Sequence, residues 1–334
     1  MKIANLLPKM LMLTVVGSGL SQRVENLDWR IKTRKVWEKA PHDAFTGLAA
    51  FKDRLYICFR EGTAHGSTDG AIRILSSKDG KSWRSVGRFD SPTYDYRDPK
   101  LTVSSGGSLM LTAAAANHSR TSLMTLVWLS TDGSKWSEPA MIGDHDYWLW
   151  SVTWHNGVAY GVGYDTSLPA KKRKGLRLYK SDNGKQFTAI VPELYNVDEP
   201  DETALAFGQD GTAYAIVRRE VKGKSTVLGK AKPPYTDWEW VETGSTFLYS
   251  PDAITLTGGR IIVAGRTVFE NKFRTGLFEL DTLRMKLFPF SWAPSAGESG
   301  YPGFALFKGK LWMSYYSSHE DNRTAIYIAN MSPQ

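Results

Sequence analysis

The sequence predicts an all-β fold: a six-bladed β-propeller of four-stranded antiparallel blades, closed by an N-terminal strand that completes the last blade. A two-strand unit recurs about every 50 residues, the period of a propeller blade. A Ser-x-Asp-Gly-x-x-Trp turn recurs at one place in that unit. No segment holds a helical period, and apolar runs are short and bounded by Gly or Asp turns.

The repeated units run Phe45–Arg60, Asp98–Leu111, Trp150–Tyr164, Glu202–Arg218, Ser250–Arg266 and Tyr301–Tyr316, with turns at Asp53, Gly107, Gly157, Gly211, Gly259 and Gly309. Each reads as a hairpin. In the first blade Ile72–Leu75 reads as a third strand and Trp83 opens a fourth. Between them lies Ser77-Lys-Asp79-Gly80-Lys-Ser-Trp83, repeated as Ser130–Trp136 and, with Asn183 and Phe187, as Ser181–Phe187. The acid or amide can bond the turn's N–H groups, Gly accepts φ > 0, and the aromatic fills the space beside the next blade. The last unit has a third strand, Ala325–Asn330, and then the chain ends; the segment Arg34–Lys39 can supply the fourth and remove two open edges.

The 334 residues include 12 Trp and 15 Tyr, enough aromatic surface for a large core, and the composition excludes a disordered or fibrous chain. The only cysteine, Cys58, excludes an internal disulfide. Residues 1–22 read as a secretory leader: Lys2 and Lys9, the run Met10–Val16, then Gly17-Ser18-Gly19. The remainder, 23–334, is expected to be one domain, periplasmic or secreted, monomeric and without a membrane span. The net charge of +8 suits an acidic partner. The basic stretch Lys171–Lys174 has no base-stacking aromatics beside it, so nucleic acid is not expected. No His, Asp or Glu group has ligand spacing along the chain, so neither a metal nor another cofactor is expected.

Propellers gather function where innermost strands begin and second strands end. Those positions hold His42, Asp43, Arg97, Asp98, Trp148, Trp150, Glu202, Asp252 and Tyr301, and then Arg60, Glu61, His65, Arg218, Arg266 and Tyr316. Arg60, Arg218 and Arg266 stand at equivalent places, so three guanidiniums converge on the axis. They need either an anionic ligand or internal carboxylates such as Glu61, Asp98, Glu202 and Asp252. Trp148 and Trp150 offer faces for a sugar ring or for packing.

Over residues 40–330 the chain resembles the sialidase superfamily of Asp-box (BNR) propellers. In that family an acid opens the fourth inner strand and an arginine ends its hairpin, as Glu202 and Arg218 do. A second arginine comes from the next blade, matching Arg266. A tyrosine opens the sixth inner strand, as in Ser299-Gly300-Tyr301. The resemblance implies Tyr301 as nucleophile, Glu202 as the base that deprotonates it, and an aspartate near the first blade as general acid; Asp69 lies in the corresponding loop, with Asp43, Glu61 and Asp98 as competitors. The family's Arg-Ile-Pro motif is replaced by Pro41-His42-Asp43-Ala44-Phe45, so the first arginine of its carboxylate clamp is missing, and Arg60 or Arg97 would have to substitute. The resemblance implies a glycoside hydrolase acting on a sialic or uronic acid glycan. Two alternatives use the same residues: a polysaccharide lyase working through His42, His65 or His319, and a glycan- or protein-binding propeller without catalysis.

Overall fold

A computed structural model describes residues 29–169 and 173–333. The leader and the first half of the basic stretch, residues 171–172, lie outside the described residues. Six four-stranded antiparallel sheets form the ring, and no helix occurs among the described residues. None is therefore long and apolar enough to cross a membrane. The innermost strands are His42–Phe51, Tyr94–Val103, Tyr147–His155, Pro200–Phe207, Tyr249–Thr255 and Ser299–Phe307. They define blades 1 to 6.

The hairpins turn where the sequence places them. Lys52-Asp53, Asn156-Gly157 and Lys308-Gly309 each put two successive residues at positive φ, which suits the right-handed twist of the flanking strands. The ring closes as expected: Trp29–Trp37 pairs antiparallel with Ala325–Pro333 as the outer strand of blade 6. This strand begins five residues before the expected Arg34.

The three Ser-x-Asp/Asn-Gly turns share one bonding pattern. Ser77 Oγ accepts from Gly80 N at 2.8 Å, and Asp79 Oδ1 accepts from Lys81 N and Ser82 N at 2.8 and 2.9 Å. Ser130 and Asp132 repeat it, as do Ser181 and Asn183. The glycine is also steric. A Cβ on Gly80 would lie 2.1 Å from the Trp312 ring of blade 6, whereas one on Gly157 would meet nothing within 4 Å. Both have positive φ, 69° and 84°. Gly157→Ala should therefore cost about 1 kcal/mol, from backbone alone. Gly80→Ala adds overpacking between blades and should cost about 2–4 kcal/mol. Paired denaturant titrations check the difference; equal losses would show that Trp312 yields freely.

One irregularity positions several of the candidate residues. All six innermost strands carry a register shift at the same level, between Ala44/Gly47, Arg97/Lys100, Leu149/Ser151, Pro200/Thr203, Tyr249/Asp252 and Gly300/Gly303. A bulge re-aims the side chains it carries. Phe45, Asp98, Ser250 and Tyr301 sit in these shifts with φ between 45° and 61°. Left-handed backbone at a bulky residue such as Phe or Tyr is strained, and strain of this kind clusters at functional sites.

Candidate active site

A cavity of about 330 Å³ opens at one mouth of the channel, above blades 2, 3, 4 and 6. Its wall includes Asp98, Glu202, Arg218 and Tyr301. Tyr301 Oη donates to Glu202 Oε1 at 2.7 Å. Arg218 Nη1 donates to Glu202 Oε2 at 2.5 Å, and Ser250 N donates to the same oxygen at 2.6 Å. Ser250 Oγ in turn accepts from Tyr301 N at 3.0 Å. Bulges from blades 4, 5 and 6 are thus tied into one closed ring of hydrogen bonds. Gly300 is part of this arrangement: its φ is 123°, and a Cβ there would press on Arg266 Cβ at 2.9 Å.

Tyr301 packs among Phe45, Trp150 and Tyr316, with ring centroids 4.6, 5.5 and 6.0 Å away. Burial, with the Asp98 and Glu202 charges, pushes the Tyr301 phenol well above its ordinary range, and Arg218 only partly offsets this. The arginine therefore does not make a resting phenolate. A nucleophilic Tyr301 has to lose its proton to Glu202 during attack.

Asp98 lies in the same cavity, 4% exposed, and its Oδ1 has no hydrogen-bond partner. Burial pushes its carboxyl up to about 6, against the pull of Arg97 and with a push from the Glu202 charge. Asp69 is different. It is exposed, accepts from Thr63 N at 3.2 Å through both oxygens, and does not line the cavity. Its carboxyl is held below the ordinary value, because bonds from Ser67 and Thr63 outweigh slight burial. The loop that carries Asp69 places this carboxylate outside the cavity that Asp98 lines.

The arginines divide. Arg60 is fully buried and spends its donors on Asp95, Ala64 O and Ser67, so it cannot hold a ligand. Arg97 lines the cavity, bonds Asp95 Oδ2 at 3.1 Å and lies over the Phe45 ring. Arg266 stacks on Phe273 at 3.8 Å, has no carboxylate partner among the described residues and stands behind Gly300 rather than in the cavity wall. Arg218 is matched by Glu202, Asp201 and Glu220.

Several other sequence candidates also lie outside the cavity wall. Glu61 is held by Arg73 at 2.8 Å and by Trp37 Nε1 at 3.0 Å. Asp43 is buried and accepts from Lys39 N and Ala40 N, and its carboxyl is pushed up to about 7 by burial and the nearby Glu61 charge. Trp148 does line the cavity, stacked on Tyr164, whereas Trp150 is buried against Tyr301 and Lys100. Asp252 accepts from Phe304 N at 2.9 Å and lines a separate cavity further down the channel, with Lys100. Tyr316 is buried against Phe45 and His42. His42 and His65 both contact Glu298 Oε1, and His319 packs on Tyr327.

The sequence reading missed Asp95, a buried carboxylate that receives Arg60, Arg97 and Arg120 together. The run Tyr94-Asp95-Tyr96-Arg97 carried the signal, since alternate strand residues share a face. It also missed Arg120 and Arg173 in the cavity wall, Ser250, and Glu298.

No protein-family model matches the chain, and no curated protein matches it. Solved structures do match it. A protein of unknown function from Dyadobacter fermentans DSM 18053 superposes with a TM-score of 0.77 at 16% identity, covering 91% of this chain and 99% of its own. The GH93 α-L-arabinofuranosidase of Fusarium graminearum, in complex with arabinobiose, gives 0.69 at 14%, covering 90% and 98%. Trypanosoma rangeli sialidase gives 0.67 at 10%, over 89% of this chain and 59% of its own. These likenesses establish a fold shared with six-bladed propeller glycosidases.

Proposed function

We propose that the protein is a retaining glycoside hydrolase acting on a glycan that carries a carboxylate sugar. The observation that carries this reading is the 2.7 Å Tyr301–Glu202 bond facing, across one cavity, a buried Asp98 whose Oδ1 has no hydrogen-bond partner and whose carboxyl is pushed up to about 6. Tyr301 Oη attacks the anomeric carbon while Glu202 takes its proton. Asp98 protonates the leaving oxygen, and its carboxylate then activates the water that releases the sugar from Tyr301. A phenol suits this task because, unlike a carboxylate, it can approach a carbon that already bears a negative group without like-charge repulsion. Arg97, Arg120 and Arg173 on the cavity wall would hold that carboxylate, and among the described residues Arg173 bonds the Thr166 and Ser167 carbonyls.

A neutral furanoside is the second reading, favoured by one feature of the site. Arg218 is already neutralised by three carboxylates, so it has no charge to spare for a substrate. Elimination is disfavoured, because none of the histidines it would use lines the cavity.

Incubation with sialylated glycans, uronic-acid glycans and arabinan oligosaccharides, with released sugars resolved by chromatography, tests the proposal. The acidic sugars should be released without an ultraviolet-absorbing unsaturated product. Release of arabinose alone would replace the anionic substrate by the neutral one. No release from any class would remove the hydrolase reading.

A further inference from the structure

We propose that His42, His65 and Glu298 form a binding site for one divalent transition metal of the zinc class, at the seam where blade 6 meets blade 1. Within the chain these residues are far apart: His42 opens the innermost strand of blade 1, His65 follows its second strand, and Glu298 precedes the innermost strand of blade 6. In space one ligand atom from each falls within 4.8 Å of the others. His42 Nε2 lies 2.9 Å from Glu298 Oε1, and His65 Nδ1 converges on that same oxygen.

Charge favours a cation here. Among the described residues Glu298 has no Lys or Arg partner, only the two imidazoles. Two neutral nitrogens and one carboxylate oxygen form a donor set suited to zinc and its neighbours, and poorly suited to calcium or magnesium, which want oxygen alone.

The ligands are held before any metal arrives. His42 is 6% exposed, with its ring packed near Phe45 and Tyr316. The His65 ring stands edge-on to Phe45 at 4.9 Å, and its backbone carbonyl accepts from Arg97 Nη1 at 3.3 Å. Arg60 pins the same loop through Ala64 O and Ser67 O. A tetrahedral ion with bonds near 2.1 Å puts its ligand atoms about 3.4 Å apart. A small adjustment of the half-exposed His65, 51% accessible, brings the set to that spacing. Its open side leaves room for water in the fourth position.

The Phe45 ring separates this site from the nucleophile: it lies 4.9 Å from His65 and 4.6 Å from Tyr301. A metal here would rivet the loop after the second strand of blade 1 to blade 6. It would act on the stability of the ring seam and take no part in the chemistry at Tyr301.

The test uses the full chain, stripped with chelator, then titrated with Zn2+ alone by calorimetry and assayed for bound metal after dialysis. Cobalt uptake gives a visible spectrum that reports coordination geometry. One equivalent should bind and raise the thermal midpoint. His65→Ala and Glu298→Gln should each weaken binding at least about tenfold, the loss typical of removing even an outer-shell partner. Both should also abolish the rise in midpoint, while His118→Ala, at an exposed histidine just after the blade 2 strand Leu109–Asn117 and outside the cluster, should leave both properties intact. Sub-stoichiometric uptake by the wild type, or unchanged uptake in the two ligand variants, would overturn the proposal. The paired variants guard against misfolding of either one. The readout is metal and melting, so it stands apart from any sugar turnover.

Discussion

Tyr301→Phe is expected to lose at least about 10^3-fold in kcat on any glycan the wild type hydrolyses, because it deletes the atom assigned to attack the anomeric carbon. The fold should hold. Glu202 keeps Arg218 Nη1 and Ser250 N on its other oxygen, and the ring of residue 301 keeps its Phe45 and Trp150 contacts. Leaving Glu202 Oε1 without this donor should cost about 1–3 kcal/mol. Glu202→Gln is the complementary experiment. It retains the shape but removes the acceptor charge, so it should lose about 10^2–10^4-fold in rate. It also leaves Arg218 with Asp201 and Glu220 only, so it should be the less stable of the two variants. Initial rates with thermal melts on both proteins check this. A Tyr301→Phe enzyme that still turns over would move the nucleophile elsewhere, whatever happens to Glu202→Gln.

The fold was legible because propeller blades announce themselves locally. Turn residues at Asp53, Gly157 and Gly309 sit in positive-φ backbone, and three copies of one side-chain-bonded turn mark the outer halves of blades. Even the closing strand was readable, since Ala325–Pro333 needed a partner and the segment before Pro41 could provide one. The candidate cluster was legible only where the repeat carried it. Glu202, Arg218 and Tyr301 occupy strand ends fixed by the hairpin register, whereas Arg60 and Arg266 occupy the same repeat position and do different work. What separates them is the partner: Asp95 captures Arg60, and Phe273 captures Arg266. Neither partner is implied by the repeat. Nor does the sequence mark the bulges that turn Asp98 and Tyr301 toward the cavity, and a strand that ran straight through them would have sent alternate residues to the other face. His42 and Glu298 meet only because the ring closes, so no spacing rule along the chain finds them.

Asp98→Asn should separate catalysis from stability, with opposite signs. In the proposed mechanism the neutral Asp98 carboxyl, pushed up to about 6 by burial, protonates the leaving group. Wild-type kcat/KM should therefore fall as pH rises through about 6. The variant should lose about 10^2–10^4-fold with ordinary leaving groups and much less with an aryl leaving group that needs no proton. Stability runs the other way. An unfolded aspartate titrates near its ordinary value of 3.8, so at low pH the carboxyl is neutral in both states and costs nothing. Above pH 3.8 the unfolded chain ionises first. The folded state, obliged to keep a proton or bury a charge, loses up to about 3 kcal/mol by the time pH passes 6. Asparagine at position 98 carries no such charge, and its short amide tolerates the φ of 45° there as well as aspartate does. The variant should thus match the wild type near pH 4 and exceed it by a few kcal/mol near pH 8. Asp43, pushed up to about 7, bends the absolute pH profile in the same direction. The informative quantity is therefore the difference between the two proteins at each pH, which removes its contribution. A difference that stays flat from pH 4 to 8 would mean that Asp98 is ionised throughout, and an ionised Asp98 cannot be the acid.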